Sequence, residues 1–144
     1  MTDAPPPARP LDLILAQKTL AAQPFSLLVG AEVTAFGDGG ATLEIPLRDE
    51  LLQQNGFVHG GVLSYAADNG ITFAAGTALG AAVLTSGFSI QYVRPATGVR
   101  LVARAKVADA TRRQAVVRCD LFAVDGDGTE VLCAMAQGTV RATG

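Results

Sequence analysis

Gln53-Gln54-Asn55-Gly56-Phe57-Val58-His59-Gly60-Gly61-Val62-Leu63-Ser64-Tyr65-Ala66-Ala67-Asp68-Asn69 is the stretch that decides how this chain folds. It opens as a polar loop, passes through His59-Gly60-Gly61, and continues into Val62, Leu63, Ala66, Ala67, Ile71, Phe73, Ala74 and Ala75. That composition belongs in an interior and predicts a core helix from about Gly60 to Leu79, stopped by Gly80. The glycines at 61, 70 and 76 weaken such a helix by about 1 kcal/mol each relative to alanine, so close packing against a sheet must hold it. Asp68 is its one charge. Ser64 stands four residues before Asp68 and Thr72 four after, which puts all three on one face. A carboxylate in an apolar helix is costly unless something pairs with it or uses it.

On either side of the helix the pattern changes. Residues 1–10 carry four prolines and little to bury, which predicts a disordered tail. Leu11 to Ala22 has Leu11, Ile14, Leu15 and Leu20 at helical spacing and ends before Pro24, so a short amphipathic helix is expected. Phe25 to Phe36 and Ala41 to Leu47 flank the turn Gly37-Asp38-Gly39-Gly40 and read as a hairpin. Beyond the helix the period is two. Strands are expected over Val83 to Val93, Val99 to Val107, Ala115 to Val124 and Glu130 to Arg141. The result is one α+β domain over residues 11–144, an antiparallel sheet around a buried helix.

Composition narrows the function. The 144 residues are 49% apolar and 17% charged, with a mean hydropathy of +0.33, which predicts that part of the surface is buried in an oligomer. No apolar run is long enough to span a bilayer, and no secretory pattern opens the chain, so a cytoplasmic protein without a membrane partner is expected. Cys119 and Cys133 fall in strand-like runs and read as buried thiols. A net charge of −2 argues against nucleic acid as a partner. Yet seven of the eleven Lys and Arg lie between Arg94 and Arg118, against the single acid Asp109. These are either solvated strand faces or a basic edge for phosphates.

Several residues can carry chemistry. Asp68 can activate a water or attack a carbonyl carbon; equally, it can cap a neighbour or pair with an arginine. Two glycines at a helix start let a ligand approach backbone N–H groups that have no internal partner, a setting suited to an oxyanion. His59 is a candidate general base, or a ring that satisfies a loop carbonyl. Gln53, Gln54 and Asn55 can donate hydrogen bonds to a carbonyl or simply cap the loop. Thr85 and Ser86 open the next strand, where a hydroxyl can hold a water. One histidine and two distant cysteines do not make a zinc site, and the Asp-Gly clusters lack the ligands of a calcium loop. Nucleotide-binding and nucleophile-elbow motifs are absent from the sequence.

Gln53-x-x-Gly56-x-Val58-His59-Gly60-Gly61, with Asp68 nine residues after the histidine and Tyr92-Val93-Arg94-Pro95 further on, resembles the hotdog-fold acyl-CoA thioesterases, in particular the phenylacetic-acid-degradation (PaaI-like) branch. The resemblance runs from about Leu27 to Val140. It implies hydrolysis of an acyl-CoA without metal or organic cofactor, and a homodimer or dimer-of-dimers tetramer with shared active sites. Asp68 matches the family's catalytic carboxylate, and Gly60 matches the glycine whose N–H polarises the thioester oxygen. Gln53 falls where relatives place an amide, and Thr72 where some place a hydroxyl. Counting back from Pro95, Thr85 matches a water-positioning hydroxyl; counting forward from Asp68, Ser86 does, and the nearer anchor favours Thr85. His59 completes the expected catalytic group. Asn55, Gly61, Ser86, Arg94, Arg112 and Arg113 are expected substrate contacts, the arginines for CoA phosphates. Two rivals are a hotdog hydratase, which wants a histidine and an aspartate acting on one water, and a non-catalytic acyl-CoA-binding protein.

Overall fold

A computed structural model describes residues 11–144; the proline-rich residues 1–10, expected to be a disordered tail, lie outside the described residues. The chain begins with α1 (Leu13–Ala21), whose first turn is capped by Asp12, its carboxylate accepting from the Leu15 N–H at 2.8 Å. Ala16 and Leu20 point inward from it.

A second helix, α2 (Pro24–Val29), follows. Phe25 to Phe36 was expected as one strand, and only its second half is. Pro24 sits at the first helical position with φ already set, and Gly30 ends the helix at φ +86°. Arg48 closes that end, its guanidinium donating to the carbonyls of Val29, at 2.7 Å, and Leu28. Tyr65, reaching from the central helix, ties α2 down. Its ring meets Phe25 edge-on at 5.3 Å, and its hydroxyl donates to Ser26 Oγ (2.5 Å), which donates to Gln23 Oε1 (2.6 Å). Burial pushes the Tyr65 hydroxyl pKa up, against the opposing pull of Ser26 and Asn69.

The hairpin comprises β1 (Glu32–Gly37) and β2 (Gly40–Pro46), joined through Asp38 and Gly39, both at positive φ. A 3-10 turn over Asp49–Leu51 leads to the loop and then to α3 (Gly60–Leu79), stopped by Gly80 as expected. Then come β3 (Val83–Tyr92), β4 (Arg100–Ala110), β5 (Gln114–Val124) and β6 (Glu130–Ala142). All six strands form one antiparallel sheet in the order β1-β2-β4-β5-β6-β3.

Helix α3 lies on one face of this sheet. Leu63, Ala66, Ala67, Ile71, Ala74 and Ala75 are buried against Leu101, Ala103, Ala105, Val117, Cys119 and Leu121. Full burial of a Leu or Ile side chain is worth about 1.5–3 kcal/mol, so Leu63 and Ile71 together offset the weak glycines of α3. Burial pushes the Cys119 thiol pKa up to about 12, so it behaves as an apolar core group. Two sides of the molecule differ. α1 packs over β1, whereas β3 is a ten-residue strand at the open edge with Leu84 67% exposed.

Gly138 on β6 is crowded by the neighbouring strand β3 and by Ile71 of the helix. A Cβ there would stand 2.8 Å from Phe88 Cβ, 2.9 Å from the Gly87 carbonyl oxygen and 3.3 Å from Ile71 Cδ1. Gly138→Ala is therefore expected to destabilise the fold by about 1–3 kcal/mol, the cost of overpacking. Urea denaturation checks this, and an unchanged midpoint would show that the sheet yields there.

Candidate active site

The loop before α3 is held by its own backbone. Leu52 pairs with Val58 as an isolated bridge, the Gln53 N–H donates to the Phe57 carbonyl (2.7 Å), and the Gly56 N–H returns to Gln53 (3.0 Å). Gly56 takes φ +83°. The Gln53 side chain accepts from the Asn55 N–H, so part of its bonding capacity goes to shaping the turn. Asn55 itself is exposed at the tip.

His59 is the N-cap of α3. Its Nδ1 accepts from the Gly61 N–H at 2.8 Å, which leaves the proton of the neutral ring on Nε2. Two expectations change as a result. His59 serves the helix end in this chain, and the Gly61 N–H, expected at the substrate, is taken up by His59. The Gly60 N–H has no acceptor among the described residues. One free donor stands at the positive end of the helix dipole.

Tyr92 covers that end. Its hydroxyl lies 2.8 Å from Ser64 Oγ and donates to the Gly60 carbonyl at 3.1 Å. A Cβ on Gly60 would stand 3.3 Å from the Tyr92 hydroxyl, so a larger residue there is accommodated once the end of that ring shifts by a few tenths of an ångström. Gln53, Phe57, Gly60, Leu63, Tyr92 and Arg94 line an open cleft of about 370 Å³. Sequence reasoning used Tyr92 only to mark a strand end. Its alternation with Phe88 and Ile90 was the available sign that it faces the helix.

A second cluster lies further along α3. Thr85 Oγ1 donates to Asp68 Oδ1 at 2.7 Å. Thr72 Oγ1 stands 2.7 Å from Thr85 Oγ1 and 2.8 Å from the Asp68 carbonyl oxygen. Three short contacts share two hydroxyl protons. With the Thr85 proton on the carboxylate, the Thr72 proton serves Thr85 or the backbone carbonyl. The chain of donors therefore runs toward Asp68 and fixes one of its oxygens. Asp68 is half-buried, and among the described residues no ion pair reaches it. Among the described residues, the arginine partner left open by the sequence is not there.

Ser86 is the residue by which the β3–β6 register slips, since Thr85 pairs with Val140 and Gly87 with Thr139. This bulge turns Thr85 to the helix and leaves Ser86 exposed, away from Asp68. The two ways of counting disagreed by one residue because the strand contains one extra. Ser64 shares the helix face of Asp68 but bonds to Tyr92 instead.

The basic stretch divides. Arg104 forms a two-pronged pair with Glu130 (2.8 and 2.6 Å) over the Phe122 ring, and Arg100 pairs with Glu44 at 2.8 Å. These belong to the sheet surface. Arg112 and Arg113 are exposed in the β4–β5 turn. The Ala115–Val140–Thr85 ladder places that turn at the Asp68 end of the sheet. Arg94 lines the Gly60 cleft, its guanidinium donating to the Leu132 carbonyl at 3.1 Å. Among the described residues no three His, Cys, Asp or Glu side chains gather as a metal site, and no helix is long and apolar enough to cross a membrane.

The family model for the thioesterase superfamily matches residues 55–130. Among solved structures, a thioesterase family protein from Silicibacter pomeroyi is 32% identical; the match covers 88% of this chain and 94% of that one, with a TM-score of 0.82. A mutant of the phenylacetic acid degradation protein PaaI from Thermus thermophilus is 27% identical over 83% of this chain and 99% of its own, with a TM-score of 0.72. A thioesterase from Haemophilus influenzae, at 21% identity over 92% and 91% of the two chains, shares the fold with a TM-score of 0.78. No curated protein matches the chain.

The capping geometry makes a prediction of its own. His59→Ala removes the acceptor for Gly61 and is expected to cost about 1 kcal/mol, while His59→Asn, a strong natural cap, retains it. Thermal unfolding of the pair checks this; equal losses for both would mean that the ring contributes by packing.

Proposed function

The chain belongs to the thioesterase superfamily, whose members hydrolyse thioesters on a hotdog fold, and from that premise we propose that it cleaves an acyl-CoA to the free acid and CoA. The observation that carries the reading is Asp68, a lone carboxylate on an apolar helix, aimed by Thr85 and neutralised by no cation among the described residues. A carboxylate buried for structural reasons alone is as a rule paired in a salt bridge. One kept free of it retains lone pairs for a water or a carbonyl carbon.

In the reaction Asp68 takes a proton from water as the oxygen attacks the thioester carbonyl. Alternatively its oxygen attacks directly, giving an anhydride that water then opens. Either way the carbonyl oxygen gains negative charge, the C–S bond breaks, and CoA departs as thiolate to be protonated. The Gly60 N–H is the donor for that oxyanion. Gln53, at the same cleft, offers its amide N–H to the thioester. Thr72 and Thr85 hold the carboxylate or the water.

One chain cannot bring these parts together. Gly60 and Asp68 are eight residues apart on α3, about 12 Å along the axis, whereas one reacting carbonyl must lie within about 3 Å of both. A second copy supplies the missing half. The open edge of β3 is the surface for it, since an unpaired ten-residue strand is a ready template for another. Pairing two such edges antiparallel sets the Gly60 end of one chain toward the Asp68 end of its partner. Arg94 from one side and Arg112 or Arg113 from the other are then placed to meet CoA phosphates.

Asp68→Asn keeps the volume and an acceptor for Thr85 while removing basicity. The expected outcome is a folded protein with kcat lower by at least about 10²-fold, the usual range for a lost general base. Single-turnover hydrolysis and melting temperature on the same preparation check it. A folded variant that hydrolyses good substrates at the parent rate would remove Asp68 from the mechanism.

A further inference from the structure

We infer that the cavity between α1 and α3 is the acyl-binding pocket, and that the missing side chain at Gly76 sets the length of acyl group it accepts; the inference rests on the thioesterase reading above. The cavity holds about 240 Å³ and is walled by Leu15 of α1, Phe36 of β1, Thr72, Phe73 and Gly76 of α3, and Val83 of β3. Its wall is continuous with the Asp68 cluster. Thr72 lines the cavity and stands 2.7 Å from Thr85 Oγ1, which itself bonds Asp68 Oδ1. A thioester carbonyl beside Asp68 therefore has a mostly apolar space next to it for the rest of the acyl group, with Thr19, Gln23 and Asn69 as its polar lining beside Thr72.

Gly76 explains why that space exists. It is buried, yet a Cβ built on it meets no atom within 4 Å. The other buried α3 glycine behaves differently, since a Cβ on Gly70 would already touch Cys119 Sγ at 3.5 Å and Ala105 Cβ at 3.6 Å. Close packing therefore accounts for Gly70 and leaves Gly76 unexplained, at a position where alanine would favour the helix. An empty apolar space inside a protein forfeits contacts that a ligand can restore. A closed apolar cavity of about 150 Å³ takes a benzene, so this larger and partly open one has room for a phenyl ring with a short linker or an aliphatic chain of medium length. An acetyl group would leave most of it empty.

The test compares acetyl-, butyryl-, octanoyl- and phenylacetyl-CoA on the parent protein, Gly76→Phe and Leu15→Ala. The parent should prefer the octanoyl and phenylacetyl substrates. Gly76→Phe fills the cavity and should lower the octanoyl-to-acetyl ratio of kcat/KM by at least about 10-fold, the scale on which apolar pockets sense mismatched groups. Leu15→Ala enlarges the opposite wall and should move the preference to longer chains. Each ratio is taken on one preparation, so the folded fraction cancels. If both variants keep the parent's profile, the pocket assignment is overturned. If the parent hydrolyses none of the four, the thioesterase reading fails instead. Calorimetry with the octyl and ethyl thioethers of CoA then decides the pocket: a preference for octyl lost in Gly76→Phe supports it, and equal binding of the two by the parent refutes it.

Discussion

Helix α3 lies close on its sheet because the residues between them are small. Ala66, Ala67, Gly70, Ala74 and Ala75 face Ala103, Ala105 and Cys119, with Gly138 beneath Ile71. Large side chains at these positions would lift the helix, and β3, which follows it and pairs with β6, would lose its place relative to Asp68. The 2.7 Å bond from Thr85 to Asp68 joins a strand to a helix and depends on that spacing. Packing of methyl groups thus fixes the position of the one charge on α3. The energy behind it comes from Leu63, Ile71 and the strand residues they meet, since the helix has little intrinsic propensity of its own.

Much of this was legible in the sequence because it rests on local periodicity. The bounds of α3 from Gly60 to Leu79, the alternation through β4 and β5, and the alignment of Thr72 with Asp68 all follow from repeat distances of 3.6 and 2.0. Where the reading failed, the cause lay outside such patterns. Phe25 to Val29 is apolar enough for a strand, but Pro24 and Gly30 bracket a single helical segment whose Leu27 and Leu28 stay exposed. A bulge at Ser86 shifts register by one, which no count along the chain can detect. The engagement of the Gly61 N–H by His59 and of the Gly60 carbonyl by Tyr92 depends on side chains crossing a helix end in space. Arg100 and Arg104 lie in a stretch that reads equally as solvated strand faces or as a basic edge, and their pairing with Glu44 on β2 and Glu130 on β6 assigns them to the former.

The two candidate positions on α3 have opposite characters. At Gly60 there is an N–H with no acceptor among the described residues, the positive end of a dipole and Arg94; at Asp68 there is a carboxylate with its supporting hydroxyls. A donor and a base on the same helix and about 12 Å apart are useless to one small carbonyl, yet become complementary when two helices run side by side in opposite directions. The exposed apolar residues of β3 and the high mean hydropathy fit a chain that functions as half of a larger unit.

That claim is tested most directly by mixing two damaged subunits. Asp68→Asn lacks the carboxylate, and Gly60→Pro lacks the backbone donor at a position where proline is compatible with a helix start. Each should be nearly inactive alone. If every site takes Asp68 from one chain and Gly60 from the other, a mixed dimer has one site with both lesions and one with neither. After random exchange of subunits, activity should return to about a quarter of the parent's, the statistical share for a two-fold dimer. Mixtures no more active than their separate components would contradict the shared site and return both halves of the chemistry to a single chain.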